Sequence, residues 1–400
     1  MSWLNCILNE RFGNQWKLEK DKYGISLKLL GSEGLIFFDD ICINFYEAKS
    51  DLPFTLWDAQ FEGWHSALDK PIPCPGFKNL KKPLIEKKRN KYLVHYDILG
   101  LTYWMLARVE EINRLDLDIH QRFPARSSHA YKNRYLDRPV VDEWLHILAQ
   151  VIKKQWPGIK LLKHDFQMII SHDVDTASRY SFTSPKKFVK RISGDLLRGN
   201  FKNALSAPLI RNNKSKLSSL DPYNTFDWIM DQSEKNFLKS SFYFITGKTS
   251  SMEGEYDIEH PFIKYLLKRI NSRGHEIGIH PSYNSFKDPI LIKRELDLLK
   301  TVTSNQEIEQ SSWGGRMHYL RWKHPYTLRA LNEAGLSYDS TLVYNDQVGF
   351  RCGTCFEFNG FDPIRSEQLS IRVRPLIVME VTLFAKKYMG LQKEDELKTL

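Results

Sequence analysis

From Lys160 onward, short apolar runs alternate with segments of helical period, and this alternation restricts the architecture more than any other feature of the chain. Gln167-Met168-Ile169-Ile170, Ser241–Ile245, Glu276–Ile279 and Ser311–Trp313 read as strands. Asp221–Leu238, His260–Ser272, Asp288–Thr303 and Pro325–Ala334 read as helices, with Gly274 and Gly335 as stops. Leu336–Leu342 and Pro375–Leu383 read as the last two strands. Strands joined through helices imply a parallel sheet with crossover connections. In a closed β/α barrel, reactive groups gather at the C-terminal ends of the strands. Polar clusters occupy those places here. Ile169-Ile170 runs into Ser171-His172-Asp173-Val174-Asp175, Ile277–Ile279 into His280-Pro281-Ser282-Tyr283-Asn284, and Trp313–Gly315 into Arg316-Met317-His318-Tyr319.

The N-terminal part has a different texture and reads as a mixed α+β domain over residues 1–158. Gly24–Leu30 and Leu35–Phe38 alternate like strands, Pro71–Gly76 is a break, and Asp97–Ile112 is helical. Val141, Trp144, Leu145, Leu148 and Val151 mark a second helix over Val140–Trp156, closed by Pro157-Gly158. No catalytic constellation stands in this half. The second domain is expected over residues 159–400, with a basic insertion at 181–220.

Two carboxylates two residues apart on an extended segment share a face, which suits Asp173 and Asp175 to divide the work of base and cation ligand. A turn or helix cap accounts for them equally well. His280 and Asn284 offer an imidazole nitrogen and an amide oxygen to a metal, or a hydrogen-bonded histidine beside an Asx turn. Arg316 suits a bidentate contact that aims a carboxylate, or a surface ion pair. His318 is a candidate proton donor, or a satisfied polar residue. Taken together, they suit hydrolysis of an amide or ester with a metal-activated water.

In this order the motifs resemble the polysaccharide deacetylase (NodB-homology) family, over roughly Lys160 to the C-terminus. They are most similar to a bacterial subgroup associated with surface-polysaccharide synthesis, which carries an extra N-terminal domain. Tyr338–Leu342, Gly349-Phe350-Arg351 and Gly353-Thr354 resemble that subgroup as well. The resemblance implies an irregular (β/α)7 barrel of the glycoside hydrolase/deacetylase type. It implies Asp173 as base, Asp175 and His280 as metal ligands, and Arg316 as the residue that orients the base. Asn284 takes the place of a further metal ligand, His318 that of a substitute acid, and Tyr283, Tyr319 and Trp322 those of substrate-binding residues. The implied cofactor is a divalent metal, zinc or another transition metal. The implied reaction is removal of acetyl groups, at a non-peptide carbon–nitrogen bond, from an N-acetylated glycan or lipid-linked glycan precursor.

Three departures accompany it. Val174 splits the usual adjacent Asp pair, so base and ligand can be exchanged. Asn284 replaces a histidine, a weaker donor type for zinc-like metals. The late motif with a general-acid His is not visible, and Lys393–Leu400 reads as the opening of a helix, so truncation before that motif is expected. A non-catalytic, carbohydrate-binding or scaffold protein of envelope assembly is therefore the alternative.

The net charge is +10, and residues 181–220 hold nine Lys/Arg against the single acid Asp195, a local +8. With the remainder near neutral and no interleaved stacking aromatics in the basic stretch, nucleic acid is not an expected partner. Phe188, Val189, Ile192, Leu196 and Leu197 lie among the basic residues at helical spacing. The stretch 186–202 therefore reads either as a helix lying on a membrane surface or as a lid with solvated charges. The five cysteines read as reduced thiols, and Cys352 and Cys355 as an isolated CxxC. The N-terminus has no basic start followed by an apolar core, so a cytoplasmic location is expected.

Overall fold

The computed structural model describes residues 1–13, 15–39, 41–213 and 216–392. The fold is mixed α/β with several sheets, and it divides into two compact units. Unit 1 comprises Met1–Asp165, Trp322–Arg329 and Ser340–Leu400, and unit 2 comprises Phe166–Arg321 and Ala330–Asp339.

Unit 1 begins with helix α1 (Ser2–Phe12), which buries Trp3, Leu4, Ile7, Leu8 and Phe12 at intervals of one, three and four. Strands β1 (Trp16–Lys20), β2 (Ile25–Leu29), β3 (Leu35–Phe38), β4 (Phe54–Trp57), β5 (Ile72–Pro75), β6 (Ile85–Lys88) and β7 (Lys91–Val94) follow. Five of them form a sheet in the order β1-β2-β3-β7-β6, in which only the β3–β7 pair is parallel. The expected break at Pro71–Gly76 is instead β5, paired antiparallel with β4. Its prolines are tolerated because β4 and β5 form a two-stranded sheet, where each strand has a free edge and needs no donor on that side.

Helix α2 (Ile98–Leu106) starts where the Asp97 carboxylate accepts the Gly100 N–H, a side-chain cap. It ends earlier than its apolar pattern suggests, because Arg108 adopts a left-handed backbone with φ of 46°. A short helix α3 (His129–Lys132) precedes α4 (Val140–Gln155), whose buried stripe includes Trp144, Leu148 and Val151 as its periodicity predicts.

Unit 2 contains β8 (Ile170–Val174), α5 (Pro185–Leu197), α6 (Phe201–Asn212), α7 (Phe226–Lys235), β9 (Ser240–Phe244), α8 (Pro261–Ser272), β10 (Glu276–Ile279), α9 (Pro289–Ser304) and β11 (Gly314–Gly315). Helix α10 (Tyr326–Glu333) and β12 (Tyr338–Asp339) come next in the chain. Strands β8 to β12 lie side by side in sequence order, each parallel to the next.

Two strands sit later than their apolar signals. Met168 and Ile169 are about half exposed, and the strand is formed by the motif itself, with Asp173 opposite Tyr243 and Val174 opposite Phe244. The strand expected at Ser311–Trp313 is Gly314–Gly315. A Cβ on Gly315 would stand 2.0 Å from the Ile279 carbonyl oxygen, and one on Gly314 would stand 2.1 Å from the Tyr338 ring, so only glycine permits this close passage.

The chain then returns to unit 1 as the antiparallel hairpin β13 (Phe358–Asp362) and β14 (Glu367–Val373), followed by α11 (Glu380–Phe384). The expected final strand Pro375–Leu383 is thus irregular chain running into a helix, and the Leu336–Leu342 strand shortens to two residues. The expected helix at Lys393–Leu400 lies outside the described residues.

The expected boundary is at 158/159; in the structure the described residues from Ser340 onward group with the N-terminal unit. Buried charges explain the grouping. Arg351 donates through Nε and Nη2 to the two oxygens of Glu111, at 2.9 and 2.7 Å, and Arg108 donates to Glu110 and Glu111, both at 2.9 Å. All four side chains are at most 2 % exposed, so each charge depends on its partners rather than on water. The Val141 N–H donates to the Gly353 carbonyl at 2.9 Å, and the Trp3 indole to the Asn359 carbonyl at 2.8 Å. No described helix is long and apolar enough to cross a membrane.

Candidate metal centre

The C-terminal end of β8 and the segments that follow β10 and β11 place Asp175, His280 and His318 together. One ligand atom from each lies within 4.8 Å of the other two. Asp175 Oδ1 is 3.3 Å from His280 Nε2 and 3.6 Å from His318 Nε2. A tetrahedral ion bound at roughly 2.0–2.1 Å requires ligand atoms about 3.3–3.4 Å apart, so the measured edges suit such an ion.

The tautomer of His280 fits the same role. Its Nδ1 lies 2.5 Å from the Arg316 carbonyl oxygen, which can only accept, so Nδ1 carries a proton and Nε2 is the nitrogen turned to the cluster, free to ligate once it gives up its own proton. His280 is buried, which works against its charged form, but Asp173 and Asp175 outweigh this and raise its pKa. Burial and the neighbouring His280 push His318 down to about 4, so its ring is neutral near pH 7. Burial acts to raise the Asp175 carboxyl, yet the hydrogen bond and charge of His280, with help from His318, hold it below the usual range. The neutral His318 ring, the His280 ring after a cation displaces its Nε2 proton, and one carboxylate form a donor set suited to zinc-like ions.

Asp173 stands beside this cluster. Its Oδ1 accepts from Arg316 Nη1 at 2.8 Å, and its Oδ2 is 3.9 Å from His280 Nε2. Arg316 is 3 % exposed and also donates through Nη2 to Ser171 Oγ at 2.6 Å. Its guanidinium lies 5.1 Å from the centre of the Tyr243 ring. The arginine is therefore held on several sides, and it fixes Asp173 in turn.

The other residues selected from the sequence separate into two groups. Tyr283 and Tyr319 are partly exposed, and their rings meet edge to face with centres 5.4 Å apart. Tyr319 and Leu320 both have left-handed backbones, with φ of 60° and 55°. A non-glycine residue in that region costs of order 1 kcal/mol or more, so the turn that follows His318 is strained. Asn284 is directed elsewhere: its amide nitrogen donates to the Thr249 carbonyl at 2.8 Å, and its oxygen accepts from Arg321 at 3.1 Å. His318 rather than Asn284 completes the His/carboxylate set. Trp322 falls in unit 1, is 2 % exposed and stacks on His324, so it offers no face to a sugar. Cys355 has its thiol pushed up to about 12 by burial and by Asp142, which disfavours the thiolate that zinc or redox chemistry would need.

Several supporting residues escaped the sequence reading. Glu295, on α9, accepts from the Ser282 N–H at 2.8 Å and from the Ser282 hydroxyl. Glu253 accepts from the Tyr283 N–H at 2.8 Å and from the Ser250 N–H at 2.6 Å. These two carboxylates anchor the segment that begins at His280. Burial raises the Glu295 carboxyl despite the Ser282 donors. Gly254 passes so close to Asp175 that a Cβ would lie 1.9 Å from the Asp175 carbonyl oxygen. Glu295 was detectable in principle, because it interrupts the apolar stripe of Ile292, Leu296 and Leu299.

No curated protein and no solved structure matches the chain. Residues 10–157 are similar to a family described only as "Family of unknown function (DUF7033)", a match confined to unit 1.

Proposed function

We propose that the protein is a metal-dependent hydrolase of the polysaccharide deacetylase type, with its β8–β12 sheet forming part of an irregular (β/α)7 barrel. The observation that carries this reading is the Asp175–His280–His318 cluster beside an Asp173 held by Arg316. Asp175, His280 and His318 would hold a divalent cation, which supplies Lewis-acid polarisation of an acyl oxygen and acidification of water. Asp173 is the general base, and Arg316 sets the position of its carboxylate. Tyr283 and Tyr319 offer partly exposed ring faces suited to a pyranose. The substrate class is an acetylated amino sugar within a glycan or glycan precursor, as the motif resemblance implies, and the bond broken is the amide carbon–nitrogen bond.

A second reading has one observation in its favour. If His318 serves as a ligand, it no longer serves as the proton donor for the leaving amine, which suits a carbohydrate-binding protein without turnover. Metal analysis of the purified protein and acetate release from N-acetylated chito-oligosaccharides separate the two. Bound metal with acetate release supports the hydrolase. Bound metal with sugar binding and no acetate supports the binding protein, and absence of metal at saturating zinc overturns both assignments of the cluster.

A further inference from the structure

The basic segment after β8 folds as a hairpin of α5 and α6 with an unusual distribution of side chains. Its inner face closes on Tyr180, Ala207 and Ile210, with Phe188 and Ile192 packed against them. Asp195, the only acid between residues 181 and 220, is 1 % exposed. It accepts from Arg179 at 2.6 and 2.9 Å and from the Tyr180 hydroxyl at 2.5 Å. This anchor removes the one negative charge of the segment from its surface.

The exposed side chains of the hairpin combine apolar groups with positive charge that has no ion-pair partner among the described residues. On α6, Phe201, Leu205 and Leu209 recur every fourth residue and are 61 %, 78 % and 67 % exposed. At the end of α5, four residues before Phe201, Leu197 is 90 % exposed as well. Lys187 and Arg191 are engaged by Glu255, and Arg211 lies over the Phe188 ring. Lys186, Lys190, Arg198 and Lys202 are exposed, and none forms an ion pair among the described residues.

We propose that this outer face docks onto an anionic phospholipid bilayer. Leu197, Phe201, Leu205 and Leu209 would enter the interface, and Lys186, Lys190, Arg198 and Lys202 would meet the headgroups. Charge selects the occupant. Three leucines and a phenylalanine stand largely exposed among the described residues, and large apolar side chains so grouped mark a contact surface. A second copy of the chain would bring the same positive charge to the contact and be repelled. An anionic lipid surface attracts the lysines while their long stems let the apolar strip sink below them.

The test is flotation of the full chain with vesicles of phosphatidylglycerol and phosphatidylcholine, against phosphatidylcholine alone, at 0.1 M salt. The parent is expected to float with the anionic vesicles only. Each basic residue near such a surface contributes about 1 kcal/mol, or about fivefold in partitioning. The triple variant Lys186→Gln/Lys190→Gln/Lys202→Gln is therefore expected to bind roughly a hundredfold more weakly. The variant Leu197→Gln/Leu205→Gln/Leu209→Gln is expected to lose vesicle binding while keeping the circular dichroism spectrum of the parent. A parent that stays unbound with anionic vesicles overturns the proposal. So does a leucine variant that floats as well as the parent. A concentration-dependent dimer that the leucine variant dissociates assigns the face to a second copy and overturns it equally.

Discussion

Removing the His318 ring takes away one corner of the ligand triangle, and the size of the effect follows from the geometry. Three ligand atoms, with edges of 3.3 and 3.6 Å to Asp175 Oδ1, would hold the ion that the proposed function requires. Structural zinc sites with four ligands bind with about 10–16 kcal/mol, or roughly 3 kcal/mol per ligand. At about 1.4 kcal/mol per tenfold, His318→Ala is expected to weaken zinc binding by on the order of a hundredfold or more. Asn284→Ala makes the informative contrast, because its carboxamide bonds to Thr249 and Arg321 rather than completing the cluster. It is expected to leave zinc affinity within a few-fold of the parent. Equilibrium dialysis against a zinc-buffering chelator, with circular dichroism to verify the fold, measures both. If Asn284→Ala loses the hundredfold and His318→Ala does not, the third ligand is the amide and the geometric assignment fails.

Asp173→Asn is expected to keep bound metal while lowering acetate release from N-acetylated chito-oligosaccharides by at least about a hundredfold; a loss of less than twofold removes Asp173 as the base. Gly254→Ala brings a methyl to a place 1.9 Å from the Asp175 carbonyl oxygen, so the ligand shifts and zinc affinity is expected to drop about tenfold, by the same dialysis. Glu111→Leu leaves Arg351 without its carboxylate partner and is expected to cost about 3–5 kcal/mol, read as a lower urea midpoint. The pH dependence of that same carboxyl has a definite sign. Burial would raise it, but Arg351 and Arg108 hold it down to about 2, against an ordinary value of 4.5. Its stabilising contribution is therefore complete above about pH 4.5 and lost as the pH falls toward 2, an effect of roughly 3 kcal/mol. The urea midpoint of the parent should drop more steeply over that window than that of Glu111→Leu, and equal slopes would refute the assignment.

Much of the second unit was legible because its helices carry a clear period. Helices α8 and α9 and strand β10 lie within a residue or so of where spacing and glycine stops put them. The strands that carry the chemistry were harder. In β8 the polar motif itself is the strand, and β11 consists of two glycines, so neither has an apolar signature. The candidate site was read as a set of neighbouring strand ends, and Asp173, Asp175, His280 and Arg316 do meet. That His318 lies in the cluster while Asn284 points to Thr249 and Arg321 was not legible, because spacing within one motif favoured Asn284 over a histidine from the next strand end. A sequence-local pattern does not reveal that Arg321 and Thr249 already occupy the amide. The hairpin β13–β14 and the membership of residues 340–400 in unit 1 depend on partners far away in the chain, which periodicity does not encode.

The buried pairing of Glu111 with Arg351 also sets a schedule for the growing chain. The two residues are separated by 240 positions, so Glu111, whose local partner is Arg108, gains its second arginine only after most of the polypeptide has been synthesised. Contacts of such long range close slowly, because loop entropy must be spent before any of them is rewarded. Until Arg351 arrives, Arg108 faces Glu110 and Glu111 as one cation against two carboxylates, so the first unit's buried charges balance only when this distant contact forms. The second unit, largely continuous from Phe166 to Arg321, has no such delay. Inside one polypeptide, the segment made second is therefore placed to fold first.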